Sequence, residues 1–124
     1  MAKKRPKHLN LIQIKLPLPG IVSILHRVSG AGLFLLIPFV LLMLQSSLVS
    51  AEGFAAVKHL LSGAFAKLIL LGLMWALLHH FFAGLRYLAM DLHYCLDMPQ
   101  ARRASWLVLG ASLFLTFLFG VWLW

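Results

Sequence analysis

The sequence predicts an all-α integral membrane protein with three transmembrane helices. Of its 124 residues, 62% are apolar and only 11% are charged, whereas soluble globular chains are about 45–50% apolar and about 25% charged. A helix needs about 20 mainly apolar residues to cross roughly 30 Å of hydrocarbon. Three stretches meet this requirement, residues 21–48, 64–90 and 105–124. The composition therefore excludes an ordinary soluble domain.

The charge of the chain is strongly basic, with 11 Lys and Arg against three acids and a net charge of +8. A nucleic-acid-binding protein carries such charge on a solvated face, which a chain this apolar lacks, so we expect no nucleic-acid partner. Seven of the positive residues lie in the basic segment 1–20 and at Arg102 and Arg103, against Lys58 and Lys67 in and beside the first loop. By the positive-inside rule, the N-terminus and the second loop face the cytoplasm or the mitochondrial matrix.

The spans are separated by two polar connections. Residues 50–63 predict a connection that holds a short interfacial helix, and residues 92–104 predict a second connection. Pro38 lies inside the first span and should bend that helix without ending it, because neighbouring helices can satisfy the freed carbonyl. Residues 21–124 are thus one three-helix domain. Its single cysteine, Cys95, excludes an intrachain disulfide framework.

One face of the first span is polar where lipid would be expected. Ser23, His26, Arg27 and Gly30 recur at i, i+3, i+4 and i+7, which places them together on a helix. Snorkelling to phosphate headgroups would account for Arg27 alone. A hydroxyl and a permanently charged guanidinium one turn apart both donate hydrogen bonds. They suit a quinone head group or the propionates of a buried haem.

The second span carries a stripe of small residues around a histidine, made up of Gly72, Ala76, His80, Gly84 and Tyr87. Such a stripe can be a helix-packing seam, with the histidine hydrogen-bonded across it. Alternatively it forms a flat-walled slot for a macrocycle, with His80 as an axial ligand of the haem iron and Gly84 close to the haem.

Helix geometry limits which histidines can share one iron. His79 points about 100° away from His80, so the two cannot bind the same metal. Counted from the cytoplasmic ends of their spans, His26 lies roughly 7 Å deep and His80 roughly 15 Å deep. The third span has no histidine. We therefore expect the second axial ligand to come from another subunit. Arg86 and Asp91, near the end of the second span, are further ionisable candidates for a functional site.

The motifs resemble the cytochrome b membrane-anchor subunit of succinate dehydrogenase, respiratory complex II, over nearly the whole chain. Three segments carry the resemblance: Arg5-Pro6 with His8-Leu9, the string S-I-L-H-R-V-S-G from Ser23 to Gly30, and H-F-F-A-G-L-R from His80 to Arg86 followed by Asp91.

The resemblance implies partners and a place in metabolism. Such subunits pair with a second small three-helix anchor, and together they dock an iron–sulfur subunit and a flavoprotein in a bacterial or mitochondrial inner membrane. Electrons from succinate reach ubiquinone beside a b-type haem that lies between the anchors. The chain would contain no dehydrogenase active site of its own. Two alternatives stay open, a fumarate reductase anchor that uses menaquinone and a haem-free tethering module.

The resemblance also implies roles for individual residues. Ser23 and Arg27 would line the quinone pocket, His26 and Arg27 would lie near the haem propionates, and His80 would be one axial ligand. Tyr87 stands where the family usually has histidine, so a propionate contact at this position would depend on the single hydrogen bond that a phenol donates.

Overall fold

The computed structural model describes residues 15–124, which form four helices: α1 (Leu18–Val49), α2 (Ala51–Ser62), α3 (Ala64–Asp91) and α4 (Met98–Leu123). Among these residues, α1, α3 and α4 are each long and apolar enough to cross a membrane. At 1.5 Å per residue they span about 39–48 Å. The prediction of an all-α chain with three such helices is confirmed, whereas most of the predicted basic segment lies outside the described residues.

The N-terminal end of α1 is set by two prolines. Pro17 is the last extended residue, and Pro19 stands in the first helical turn, where its fixed φ angle favours the helix and its missing N–H is not needed. The helix therefore begins at Leu18, three residues before the predicted start. It continues through Pro38 without a break, as predicted.

The predicted short helix of the first connection is α2. The Ser50 hydroxyl accepts a hydrogen bond from the Gly53 N–H at 3.0 Å, and Glu52 lies in the positively polarised first turn. Both features stabilise a helix N-terminus. A β-carbon at position 53 would overlap the Ser46 carbonyl oxygen, so the tight turn from α1 to α2 requires glycine at this position.

The second connection is shorter than predicted. The expected range was residues 92–104, but α4 already begins at Met98 and only residues 92–97 are not helical. Pro99 in the first turn of α4 favours this early start. Hydropathy marked residues 98–104 as a loop because they are polar, yet an α-helix can extend beyond the hydrocarbon without losing its hydrogen bonds.

A Schellman motif ends α3. The Tyr94 N–H donates to the Ala89 carbonyl and the His93 N–H donates to the Met90 carbonyl, both at 2.9 Å. His93 has the left-handed φ of 65° that this cap requires. The chain thereby turns sharply from α3 toward α4.

The three long helices pack around a small interior in which α3 contacts both α1 and α4. Val22 of α1, Ala83 of α3 and Val108 of α4 form its buried apolar cluster, and Ala101 of α4 is also buried. Large apolar side chains lie mostly outside, as at Leu48 and Trp122, which are 75% and 80% exposed. Such a surface suits lipid or another membrane subunit, because helices in a bilayer associate through small residues and not through apolar burial.

Helices α3 and α4 run antiparallel. Contacts near both ends of the pair define their register. Ala83 and Val108 belong to one buried cluster. Leu71 lies twelve residues before Ala83 on α3, and Gly120 lies twelve residues after Val108 on α4. The Leu71 side chain is 3.1 Å from where a β-carbon on Gly120 would stand. Further along, Lys67 Nζ donates to the Leu123 carbonyl at 3.0 Å.

Candidate functional site

The imidazole rings of His26 on α1 and His80 on α3 form a parallel stack. Their centroids are 4.1 Å apart and their planes differ by 7°. Both residues are half-buried. The structure therefore brings together the two histidines that the sequence placed on separate polar stripes.

The depth difference predicted for these histidines is wrong, because stacked rings lie at nearly the same level. The helix ends account for about half of the error. With α1 beginning at Leu18 and α3 ending at Asp91, His26 lies about 12 Å and His80 about 16 Å from the respective ends. The remaining difference of about 4 Å is no larger than the 4.1 Å between the ring centroids.

His80 is held by the backbone of α1. Its Nδ1 lies 3.0 Å from the His26 carbonyl oxygen and 3.4 Å from the Ser29 hydroxyl. That hydroxyl in turn donates to the same carbonyl at 3.0 Å. A carbonyl only accepts hydrogen bonds, so Nδ1 must carry the proton, and in the neutral ring the lone pair is on Nε2.

Each imidazole of the stack lies against a glycine of the opposite helix. A β-carbon at Gly30 would be 2.7 Å from Cε1 of His80, closer than such contacts allow. A β-carbon at Gly84 would be 3.9 Å from Nε2 of His26, an ordinary contact distance. At the predicted small-residue stripe, His26 of α1 thus lies beside Gly84, while Gly72 further along has open space beside it.

The other predicted site residues surround the stack unequally. The Tyr87 ring is half-buried, with its centroid 5.1 Å from that of His26. Ser23 is half-buried and Arg27 is exposed. The face expected to hold Ser23, His26, Arg27 and Gly30 together is therefore divided: His26 and Gly30 face α3, whereas Arg27 is exposed among residues 15–124.

His79, which precedes His80 in the sequence, has different surroundings from the stacked histidines. It is fully buried, and its ring centroid lies 5.5 Å from that of Trp75. Arg86 is also buried, with its guanidinium carbon 5.7 Å from the centre of the Tyr87 ring, while Asp91 is exposed. As the 100° separation predicts, His79 and His80 have different neighbours: His79 lies beside Trp75 and His80 stacks on His26.

Ser29 is the site residue that the sequence analysis missed. It lies one turn after His26, within the same motif string, so the i, i+3 spacing offered a signal. Its contact with His80, however, crosses between helices separated by about 50 residues. Periodicity along one helix does not report such a contact.

The geometry at His80 is the one that metal-bound histidines adopt. Such a histidine donates its other ring N–H to a carbonyl or carboxylate, which fixes the tautomer and the ring orientation. No cluster of three or more metal-ligating side chains occurs within residues 15–124. The parallel stack also directs the ring face of His26, and not a lone pair, toward His80. Within residues 15–124, His80 therefore offers one nitrogen, Nε2, to a metal.

Comparisons with known proteins show the family of the chain. The family model described as succinate dehydrogenase/fumarate reductase transmembrane subunit matches residues 1–119. A succinate dehydrogenase cytochrome b556 subunit of Coxiella burnetii is 38% identical over 125 residues, covering 100% of both chains. The cytochrome b556 subunit of Paracoccus denitrificans is 34% identical, over 92% of this chain and 88% of its own length. The cytochrome b560 subunit of Reclinomonas americana is 31% identical, over 90% and 81%.

Proposed function

The chain belongs to the succinate dehydrogenase/fumarate reductase transmembrane subunit family, and we propose that in a succinate dehydrogenase it supplies one axial ligand of a b-type haem and part of the ubiquinone-reduction site. It is a membrane-anchor subunit, and the dehydrogenase reaction takes place on its partners. Electrons would pass from an iron–sulfur subunit to quinone at the cytoplasmic or matrix end of α1.

The observation that carries the haem proposal is the anchored imidazole of His80. Its Nδ1 donates to the His26 carbonyl at 3.0 Å, so the lone pair that binds iron is on Nε2. The donor set of this chain fits one half of a low-spin site, because a neutral imidazole is a common ligand of haem iron. When bound, the haem supplies one-electron redox chemistry. The stacked His26 offers no second lone pair in this direction, which supports a ligand from another subunit.

Three residues around the stack suit the carboxylate groups of a haem. Arg27 carries a permanent charge, and the Tyr87 hydroxyl can donate one hydrogen bond. His26 lies between the His80 and Tyr87 rings and keeps one ring nitrogen beside Gly84. We propose that His26, Arg27 and Tyr87 bind the propionates and that Gly84 lies in the same environment.

The quinone proposal rests on Ser23 and Arg27, one turn apart near the start of α1. As a quinone accepts two electrons and two protons, negative charge develops on its carbonyl oxygens before protonation. A hydroxyl and a fixed cation stabilise that charge more strongly in a low-dielectric pocket than in water. Arg27 is exposed in this chain, so the remaining wall of the pocket would come from a partner subunit.

The exposed apolar surface of α1 supports pairing with a second three-helix anchor. Phe34 is 70% exposed on this helix, and Arg27 projects from the same outer surface. A charged side chain in a span faces a partner, a cavity or the interface. The iron–sulfur subunit and the flavoprotein would dock where Arg102 and Arg103 lie, on the cytoplasmic side of a bacterial inner membrane or the matrix side of a mitochondrial one.

A fumarate reductase anchor that uses menaquinone is a second candidate, because the matching family model includes such subunits. The full-length similarity to cytochrome b556 subunits of succinate dehydrogenases favours the first. A haem-free tether, in which the glycine stripe serves only for packing, is the candidate of a different class. The hydrogen bond from His80 Nδ1 to the His26 carbonyl fits this candidate as well, because a packing seam with a hydrogen-bonded histidine makes the same contact, so the haem content of the purified complex distinguishes the two.

The deciding experiment is a spectrum of the whole complex purified through a tag on this chain. A pyridine haemochrome and a reduced-minus-oxidised spectrum should reveal one low-spin b-type haem. His80→Leu should abolish or severely weaken that signal. The matched variant His79→Leu should retain it, because His79 faces Trp75 and not the stack. A haem-free complex, or an unchanged spectrum in His80→Leu, would exclude the proposal.

A further inference from the structure

Four buried side-chain nitrogens of the described residues have no hydrogen-bond partner in the protein, and all of them lie on α3. They are Trp75 Nε1, both ring nitrogens of His79 and Arg86 Nε. These residues are spaced by four and seven positions, which puts them on one helix face. That face points away from His80, and of its three residues Arg86 contacts a residue proposed for the haem site, the Tyr87 ring. His79 itself is fully buried.

The facing surface of α4 carries hydroxyl groups at the matching spacing. Ser105 and Ser112 are fully buried and Thr116 is half-buried. Their hydroxyls donate to carbonyls of α4 itself, those of Ala101, Leu109 and Ser112, at 2.7, 3.0 and 2.7 Å. With the proton used in this way, each hydroxyl oxygen keeps lone pairs that can accept a bond from outside the helix.

The register of α3 and α4 places the unpartnered nitrogens of α3 at the same level as the hydroxyl groups of α4. Counted from the Ala83 and Val108 cluster and from the Leu71 contact at Gly120, three pairs of positions lie opposite one another. They are Trp75 with Thr116, His79 with Ser112, and Arg86 with Ser105. Each pair sets an N–H donor against a hydroxyl acceptor, and in no pair do the two side chains meet within hydrogen-bond distance.

We propose that the interface between α3 and α4 binds water molecules that bridge these pairs, with the central one held by His79 and Ser112. Water suits the site because it accepts from a nitrogen donor and donates to a hydroxyl oxygen at the same time. A bound anion would meet the lone pairs of the serine oxygens. A bound cation would meet the N–H groups and the Arg86 charge. The Val22 backbone of α1 lies beside the His79 ring, so its carbonyl is the competing direct acceptor that the experiment must exclude.

Cryo-electron microscopy of the intact complex, at a resolution that shows ordered water, tests the proposal directly. We expect density about 2.7–3.2 Å from both a His79 ring nitrogen and the Ser112 oxygen. In Ser112→Ala this density should weaken, while density between Arg86 and Ser105 remains as an internal control. A His79 ring bonded directly to Ser112 or to the Val22 carbonyl, with no density between them, would overturn it.

A double-mutant cycle on thermal unfolding of the complex gives an independent test. His79→Phe and Ser112→Ala should shift the melting temperature non-additively, since both remove partners of the same water. His79→Phe combined with Ser62→Ala, on the exposed surface of α2, should be additive. If the His79→Phe complex does not assemble, His79→Gln takes its place in the cycle. Because glutamine keeps a hydrogen-bond donor, we expect a smaller but still non-additive shift in melting temperature. Additive shifts in the His79 and Ser112 cycle would contradict a shared water.

Discussion

His26 and His80 stack in parallel at 4.1 Å, and each ring lies beside a glycine one turn along the opposite helix. The contact at Gly30 is much closer than the one at Gly84. This difference arises because His80 is pulled onto α1 by the hydrogen bond from its Nδ1 to the His26 carbonyl. The two glycines therefore differ in how much side chain they tolerate, although the sequence presents them as equivalent members of glycine-histidine stripes.

Gly30→Ala should disturb the anchoring of His80. The new methyl group would stand 2.7 Å from Cε1 of the ring, so the imidazole must shift away from the His26 carbonyl and lose its bond. We expect a loss of about 1–3 kcal/mol in stability and a fall in bound haem. Haem per complex and the melting temperature measure both effects.

Gly32→Ala is the matched control for this change, because a β-carbon at Gly32 meets nothing within 4 Å on the same helix. It should leave haem content and melting temperature nearly unchanged. Equal haem loss in the Gly30 and Gly32 variants would show that helix flexibility, and not the contact with His80, is responsible.

Gly84 should tolerate alanine but not leucine. A β-carbon at this position makes an ordinary contact of 3.9 Å with Nε2 of His26, whereas the larger leucine side chain would displace the ring. Gly84→Leu should therefore lower haem occupancy without changing a ligand. Gly72→Leu, where the structure has open space, provides the comparison, and normal haem content in Gly84→Leu would contradict the expectation.

Ser29→Ala should change the properties of the haem more than its amount. The Ser29 hydroxyl shares the His26 carbonyl with His80 Nδ1. Without this competing donor the carbonyl accepts more strongly from Nδ1, so His80 becomes a more basic ligand. We expect a lower haem midpoint potential, by tens of millivolts in order of magnitude, measured by redox titration. Ser29→Thr, which keeps the hydroxyl, should restore the original potential.

The sequence was informative about the helices and about single-helix faces. Apolar run length predicted α3 within one residue, from 64–90 to Ala64–Asp91. It failed at residues 98–104, because hydropathy reports preference for lipid and a helix does not end where lipid does. The α4 start depends instead on Pro99.

Contacts between helices were the part of the site that periodicity left undetermined. The spacing of His26, Gly30, His80 and Gly84 defined two faces, but their meeting depends on the relative shift of α1 and α3. The shift of a few residues at the helix ends accounts for about half of the error in the depth of the histidines. The Ser29 contact with His80 and the donor face of α3 depend on the same shifts, so neither was accessible from the chain alone.

The topology proposal predicts opposite locations for two reporters. A reporter fused after Trp124 should be periplasmic or in the intermembrane space. One inserted in the connection of residues 92–97, outside the helices, should be cytoplasmic or matrix-facing. The asymmetry of positive charge is the physical reason. Reporters that give the same side at both sites would contradict three membrane crossings.

The quinone proposal predicts a selective loss of activity in Ser23→Ala and Arg27→Leu. Each variant removes a donor to the quinone oxygens, and a charge-assisted hydrogen bond is worth roughly 1.5–3 kcal/mol. Quinone reduction should fall by about one to two orders of magnitude. Succinate oxidation with an artificial acceptor that takes electrons at the flavoprotein should be nearly unchanged, because under the proposal that reaction takes place on a partner subunit.

Both assays should be run on the same membranes, with the retained flavoprotein as a measure of assembly. Ser47→Ala, on the half of α1 remote from the stack, is a matched serine control, since its hydroxyl only donates to the Leu44 carbonyl of its own helix. Parallel loss in the two assays would indicate an assembly defect. Unchanged quinone reduction in both the Ser23 and Arg27 variants would remove these residues from the quinone site and leave Arg27 to the propionates or to lipid headgroups.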